Sequence, residues 1–94
     1  MIAYFRYDKS PEADCISVEL TSAQGVALGI VSLPPDAFKQ MERLNPTAAR
    51  SGDPMALPFA LSYGVLAASI TGCKLSIAGE KTLWPEDWGM LIDR

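Results

Sequence analysis

The pattern of apolar and polar residues along the first third of the chain predicts three β-strands. Residues 2–7 are rich in aromatic side chains, residues 15–20 alternate strictly, and residues 26–33 are almost entirely apolar. Strict alternation is typical of a strand with one buried face, and a short apolar run rich in β-branched residues is typical of a fully buried strand. The connecting segments 8–14 and 21–25 are short and polar. Three strands joined in this way predict an antiparallel meander.

The period then lengthens, which predicts a first helix. It begins at Pro35, because a proline followed by an acid, Asp36, suits a first helical turn. Its apolar residues recur at the spacing of one helix face: Ala37, Phe38, Met41 and Leu44. Asn45–Pro46 ends the helix, and the small and polar residues 45–53 predict a loop.

A second helix is predicted over residues 58–72, with Pro58 in its first turn and Gly72 as its cap. No residue from 54 to 73 is charged, and a helix that is apolar on every side is buried on more than one side. A glycine inside a helix costs about 1 kcal/mol relative to alanine, so Gly64 predicts a close approach by another element. A helix of this length spans roughly 22 Å, less than the ~30 Å core of a bilayer, so no membrane span is expected.

Residues 74–94 predict a strand pair and a short terminal segment. Residues 74–78 alternate, and Gly79–Glu80 suits a tight hairpin turn into a strand over residues 81–84. The complete order is βββ-α-α-β-β. This order predicts one α+β domain over residues 1–94, a small antiparallel sheet with two helices packed on one face.

Composition and charge exclude several functional classes. Eight basic and eleven acidic residues give a formal charge of −3, and the basic residues are scattered, so nucleic acid is not an expected partner. The chain has no histidine, which removes histidine-based catalysis and histidine metal sites. The two cysteines, Cys15 and Cys73, do not have zinc-site spacing, and they are interpreted as small core residues. The N-terminal residues do not read as a signal peptide, which favours a cytoplasmic protein with free thiols.

Acidic residues form two groups that resemble sites of known chemistry. Glu86 and Asp87 are adjacent, and Asp8, Glu12 and Asp14 lie close together in the sequence. The first pair is explained by the start of a short helix, where acids are favoured. The second group lacks the central glycine of a calcium loop. The sequence therefore predicts no catalytic residue, no metal and no cofactor, and it favours a protein that is not an enzyme.

The segment W-P-E-D-W is the candidate binding site. Two tryptophans lie within five residues beside two acids, and tryptophan is enriched at protein interfaces. The candidate residues are Trp84, Glu86, Asp87 and Trp88. A structural interpretation stays open, in which both indoles close the edge of a small core.

The hypothesis that results is a small acidic protein-binding module of the accessory, inhibitor, immunity or antitoxin type. A protein partner is expected, and a homodimer is expected because the second helix is apolar on every side. Two alternatives stay open. One is an enzyme or small-ligand protein with a pocket near the Trp84–Trp88 segment, and the other is a structural subunit of a homo-oligomer.

Overall fold

The computed structural model describes residues 4–44 and 53–93 and has an α+β architecture, which confirms the predicted class. Two helices pack with one six-stranded sheet. The strands are β1 (Tyr4–Tyr7), β2 (Ile16–Ala23), β3 (Val26–Ser32), β4 (Pro54–Ala56), β5 (Leu75–Gly79) and β6 (Met90–Asp93). The helices are α1 (Pro35–Leu44) and α2 (Leu57–Thr71).

The strand order is β4-β3-β2-β5-β1-β6, and the sheet is mixed rather than antiparallel. The β2–β3 hairpin matches the prediction, with antiparallel pairs from Ser17↔Ser32 to Ala23↔Val26. The predicted three-strand meander is wrong for β1, which pairs in parallel with β5 and β6. Alternation reports which face of a strand is buried but carries no information about which strand lies next to it.

One side of the sheet carries the core. Ile16, Val18 and Leu20 of β2 are at most 2% exposed, and Ile77 of the neighbouring β5 is fully buried. The parallel register pairs Val18 with Ile77, so these side chains lie on one side of the sheet. Helix α2 covers this side and contributes Leu57, Ala60, Leu61 and Ala67, while α1 adds Ala37 and Met41.

Two glycines let α2 lie directly on the strands. A Cβ at Gly64 would lie 2.8 Å from Cγ2 of Val18, and a Cβ at Gly29 of β3 would overlap Cβ of Ala60. Such distances leave no room for a side chain at either position. The predicted close approach at Gly64 is confirmed, and the approaching element is the sheet.

The ends of α2 explain its length. Pro58 lies in the first turn, where its missing N–H is not needed. Gly72 ends the helix with φ of 74°, and its N–H donates to the carbonyl of Ala68 at 2.9 Å. Asp53–Pro54, which resembles a helix start, instead leads into β4.

The C-terminal part of the sheet differs from its prediction. Residues 81–84 do not form a strand. The chain makes two 3₁₀ turns, Lys81–Leu83 and Glu86–Trp88, and then enters β6. Pro85 lies between these turns, where its missing N–H and its bulky ring disfavour a regular helix that would join them. The predicted loop 45–53 lies outside the described residues except for Asp53.

The connection from β1 to β2 crosses β5, because β5 lies between these two strands. Residues of this crossing segment, Lys9 and Pro11, border a cleft together with Glu19 and Ala78. Glu19 lies between the core residues Val18 and Leu20 of β2, so its side chain is on the opposite side of the sheet from the core. Because Lys9 and Pro11 border a cleft with Glu19, the crossing segment lies on the side of the sheet opposite α2.

Candidate functional site

The predicted site residues Trp84 and Trp88 lie in a segment that we call the aromatic strap (residues 81–88). Both indoles are half-buried and pack against Phe5 of β1. The ring centroids of Phe5 and Trp84 are 5.1 Å apart at 59°, and those of Phe5 and Trp88 are 6.3 Å apart at 65°. Tilted pairs at these distances are favourable aromatic contacts. The strap therefore extends the hydrophobic core beyond the reach of α2.

The polar atom of Trp84 is also used within the fold. Its Nε1–H donates to the carbonyl of Gly89 at 3.0 Å, and this bond closes the chain between the strap and β6. A half-buried indole N–H normally finds such a partner. The geometry favours the structural interpretation of Trp84, which the sequence left open beside the binding interpretation.

The acids of the segment are placed differently from the indoles. Glu86 and Asp87 are both exposed on the second 3₁₀ turn. Glu86 borders an open groove of about 740 Å³ whose other lining residues come from the strap and β6: Lys81, Thr82, Trp84, Gly89, Met90 and Leu91. The four predicted residues therefore lie close together, but their side chains differ in exposure. The two indoles pack into the fold, and the two carboxylates are exposed to solvent.

Lys81 links the strap to the end of the sheet. Its Nζ forms an ion pair with Oδ1 of Asp93 and lies 4.6 Å from the centre of the Tyr7 ring. The Lys81 side chain is 48% exposed, so water screens the ion pair and limits its contribution to stability.

A second surface emerges on the outer face of α2, which we define as Phe59, Val65, Leu66 and Ile70. These side chains are 72%, 36%, 53% and 42% exposed. No residue of α2 carries a charge. The sequence showed that α2 is apolar on every side, but only the packing shows which side the sheet leaves uncovered. Three of them, Phe59, Leu66 and Ile70, recur at the spacing of one helix stripe, and exposed apolar side chains grouped in this way are a feature of interaction surfaces.

A third group lies where the crossing segment meets β5. Side-chain ligand atoms of Glu12, Asp14 and Cys15 lie within 4.8 Å of one another, beside a cleft that also contains Arg6 and Lys74. Burial raises the pKa of the Cys15 thiol, and the nearby carboxylates of Asp14 and Glu12 raise this pKa further. A thiol must be deprotonated to bind a metal or to attack a substrate, so this environment disfavours both roles.

The two cysteines are free thiols. Cys73 packs against the core, as predicted, whereas Cys15 is half-buried at the cleft.

No protein-family model, curated protein or solved structure matches this chain. Among the residues that the structure describes, no helix is both long and apolar enough to cross a membrane.

Proposed function

We propose that the protein is a small cytoplasmic protein-binding module without a catalytic role, and that its principal contact surface is the outer face of α2. The observation that carries the proposal is the exposure of Phe59, Leu66 and Ile70 on a helix whose opposite side is fully packed. Burying apolar surface contributes about 25 cal/mol per Å², so a patch of this kind supplies a useful binding energy.

The chemistry of this face defines the partner. The chain has a net charge of −3, yet the outer face of α2 has no charged residue. A complementary surface therefore has apolar side chains at its centre, in the manner of a helix or groove that accepts Phe59 as an anchor. Large aromatic side chains in such positions dominate the energy of many interfaces.

The aromatic strap forms a second proposed contact. Glu86 and Asp87 are exposed, and acids at the rim of an interface accelerate association with a basic partner. Trp84 and Trp88 then hold these acids in position rather than entering the partner. Self-association into a homodimer is also part of the proposal.

The experiment uses a photo-cross-linking amino acid at Phe59, introduced into the protein in its native cells. The control variant has the same amino acid at Gln40, an exposed position of α1. We expect a covalent adduct with one defined protein from position 59 and none from position 40. Adducts of the same kind from both positions would argue against a specific surface.

The captured protein is then purified and titrated against Leu66→Asp. A charge at the centre of an apolar contact loses its hydration on binding, so affinity should fall about 100-fold or more. Val26→Asp is the matched control, because Val26 is 56% exposed elsewhere in the protein. Equal affinities of the wild type and Leu66→Asp would refute the proposal.

The alternative of a small-ligand protein rests on the groove beside Trp84 and Glu86. It predicts that a metabolite raises the melting temperature of the wild type and not of Glu86→Gln. The protein-binding proposal predicts no such difference.

A further inference from the structure

The two edges of the sheet are built differently. Strand β4 at one edge has three residues and begins with Pro54, which has no N–H to offer. Short strands and prolines are common devices that prevent an edge from pairing with another chain. Strand β6 at the other edge is also short, with the four residues Met-Leu-Ile-Asp, but it contains no proline. The β6 edge is therefore open to pairing in a way that the β4 edge is not.

Side chains on β6 reinforce this difference. Met90 is 60% exposed and Ile92 is 44% exposed. The register places Tyr7 of β1 beside the core residue Ile77, so Met90 and Ile92, which pair with Tyr4 and Arg6, lie on the side of the sheet opposite α2. Met90 pairs with Tyr4 of β1, which is itself 68% exposed. The edge thus carries a small apolar patch beside its backbone donors and acceptors.

The backbone determines what can occupy this edge. Alternate residues of an edge strand direct their N–H and C=O groups away from the sheet, and another strand matches both groups at once. Among the described residues, no strand pairs with the outer side of β6. A suitable occupant is a short strand with an open edge and apolar side chains at alternate positions, and β6 itself has these properties.

We propose that β6 pairs antiparallel with β6 of a second copy of the chain, which joins two six-stranded sheets into one. With a two-fold axis at Leu91, Met90 of each copy lies opposite Ile92 of the other copy. The two resulting pairs lie on the same side of the joined sheet. Apolar cross-strand pairs of this kind stabilise an antiparallel ladder. A symmetric contact in which each copy uses the same patch is the usual geometry of a homodimer.

Charge does not oppose this register. Asp93 is the acid within β6, and it is already paired with Lys81 of its own chain. With the axis at Leu91, the two Asp93 side chains are not opposite one another. The contact involves few residues and falls below the roughly 800 Å² per partner of stable complexes, so the dimer is expected to be weak, with Kd on the order of 100 µM.

The experiment is sedimentation equilibrium of the full chain from about 10 µM to about 1 mM, a range that spans the expected Kd. The test variant is Met90→Lys with Ile92→Lys, which places lysines opposite each other at two positions of the ladder. The matched control is Val26→Lys with Leu44→Lys, because these side chains are 56% and 63% exposed and lie outside β6. Both variants change the net charge equally.

We expect the wild type and the control to dimerise with similar Kd, and the β6 variant to dimerise at least about 10-fold more weakly. A wild type that stays monomeric throughout the range overturns the inference, as does a β6 variant that dimerises like the wild type. Loss of the dimer in the control as well also overturns it.

A separate variant distinguishes this inference from the proposed function. If Leu66→Asp abolishes the dimer and the β6 variant does not, the second copy binds the outer face of α2, and the β6 inference is wrong while the α2 surface stands. If the β6 variant alone abolishes the dimer, the inference holds whatever the outcome of cross-linking at Phe59.

Discussion

Two halves of the same core are closed in different ways. Over β2, β3 and β5, a regular helix lies against the sheet, with glycines at the points of closest approach and aliphatic side chains filling the space between. Over β1 and β6, two 3₁₀ turns cover Phe5 with two half-buried indoles, and the Trp84–Gly89 hydrogen bond and the exposed Lys81–Asp93 ion pair connect these turns to β6. The stability of the α2 half depends on close packing between the helix and the sheet, and the stability of the strap half depends on a few contacts made by large side chains.

This difference indicates where the protein tolerates change. Side chains pack closely against Gly29 and Gly64 and leave little room for an added methyl group, so the stability of the α2 half is sensitive to added side-chain volume. The strap half is half-exposed, and its sensitivity is to the loss of large side chains.

The largest effect is expected from Gly64→Leu. The added side chain would collide with Val18 and Leu75 of the sheet, and the free energy of unfolding should fall by about 3 kcal/mol. Thermal and urea melts measure this loss of stability. The control variant is Ser62→Leu, which adds a leucine on the exposed side of α2. Equal stability of Gly64→Leu and the wild type would show that the helix does not depend on this contact.

A smaller effect is expected from Trp84→Ala. Removing the indole deletes the contact with Phe5 and the hydrogen bond to Gly89, at a cost of about 2 kcal/mol because the side chain is only half-buried. Trp84→Phe retains most of the ring contact and should lose about 1 kcal/mol. Urea melts of both variants separate the two contributions. If Trp84→Ala keeps full stability, the strap is not part of the core, and the interface interpretation of this indole gains support.

A gain is expected from Tyr63→Phe in the α2 half. The hydroxyl oxygen of Tyr63 is buried and has no hydrogen-bond partner in the described part of the chain. Removing an unpaired buried hydroxyl should raise the free energy of unfolding by about 1 kcal/mol. A melt at neutral pH tests this, and a clear loss of stability would contradict the assignment.

The same residue gives the direction of a pH effect. Burial raises the pKa of Tyr63 above its ordinary value of 10.0, so the unfolded chain ionises before the folded one. Stability from this group is complete below that ordinary value and is lost as the pH rises from it through the raised pKa of the folded state. Tyr63→Phe should therefore lose less stability than the wild type above this value.

The smallest effect is expected from Lys81→Met. It removes the ion pair with Asp93 and the contact over Tyr7, both at a side chain that is 48% exposed. The loss should be below about 1 kcal/mol and should shrink at high salt, because exposed pairs are screened. Lys39→Met on α1 is the control. A loss of several kcal/mol would mean that the strap depends on this charge.

The sequence predicts the α2 half better than the strap half, for a physical reason. The strict alternation of Ile16, Val18 and Leu20 and the uncharged run of α2 report local burial, and both elements form where expected. The neighbours of β1 lie more than sixty residues away, and local periodicity does not encode them. Strand β6 is too short for its alternation to be recognised.

The candidate site shows the same limit. The cluster of Trp84, Glu86, Asp87 and Trp88 could be found from composition alone, but the direction of each side chain depends on Phe5, which the sequence does not place beside it. The outer face of α2 could not be predicted either, because the sequence of a helix that is apolar on every side does not indicate which side stays exposed.

The position of β1 between β5 and β6 also governs the order in which the chain can acquire its structure during synthesis. The β2–β3 hairpin and α2 are complete before β5 is made, whereas β1 has no strand to pair with until β5 follows. Contacts between distant parts of a chain form slowly because a long loop must be closed first. Strand β1 therefore joins the sheet only after β5, although it is made before β2 and β3, and β6 then pairs with β1 at the edge.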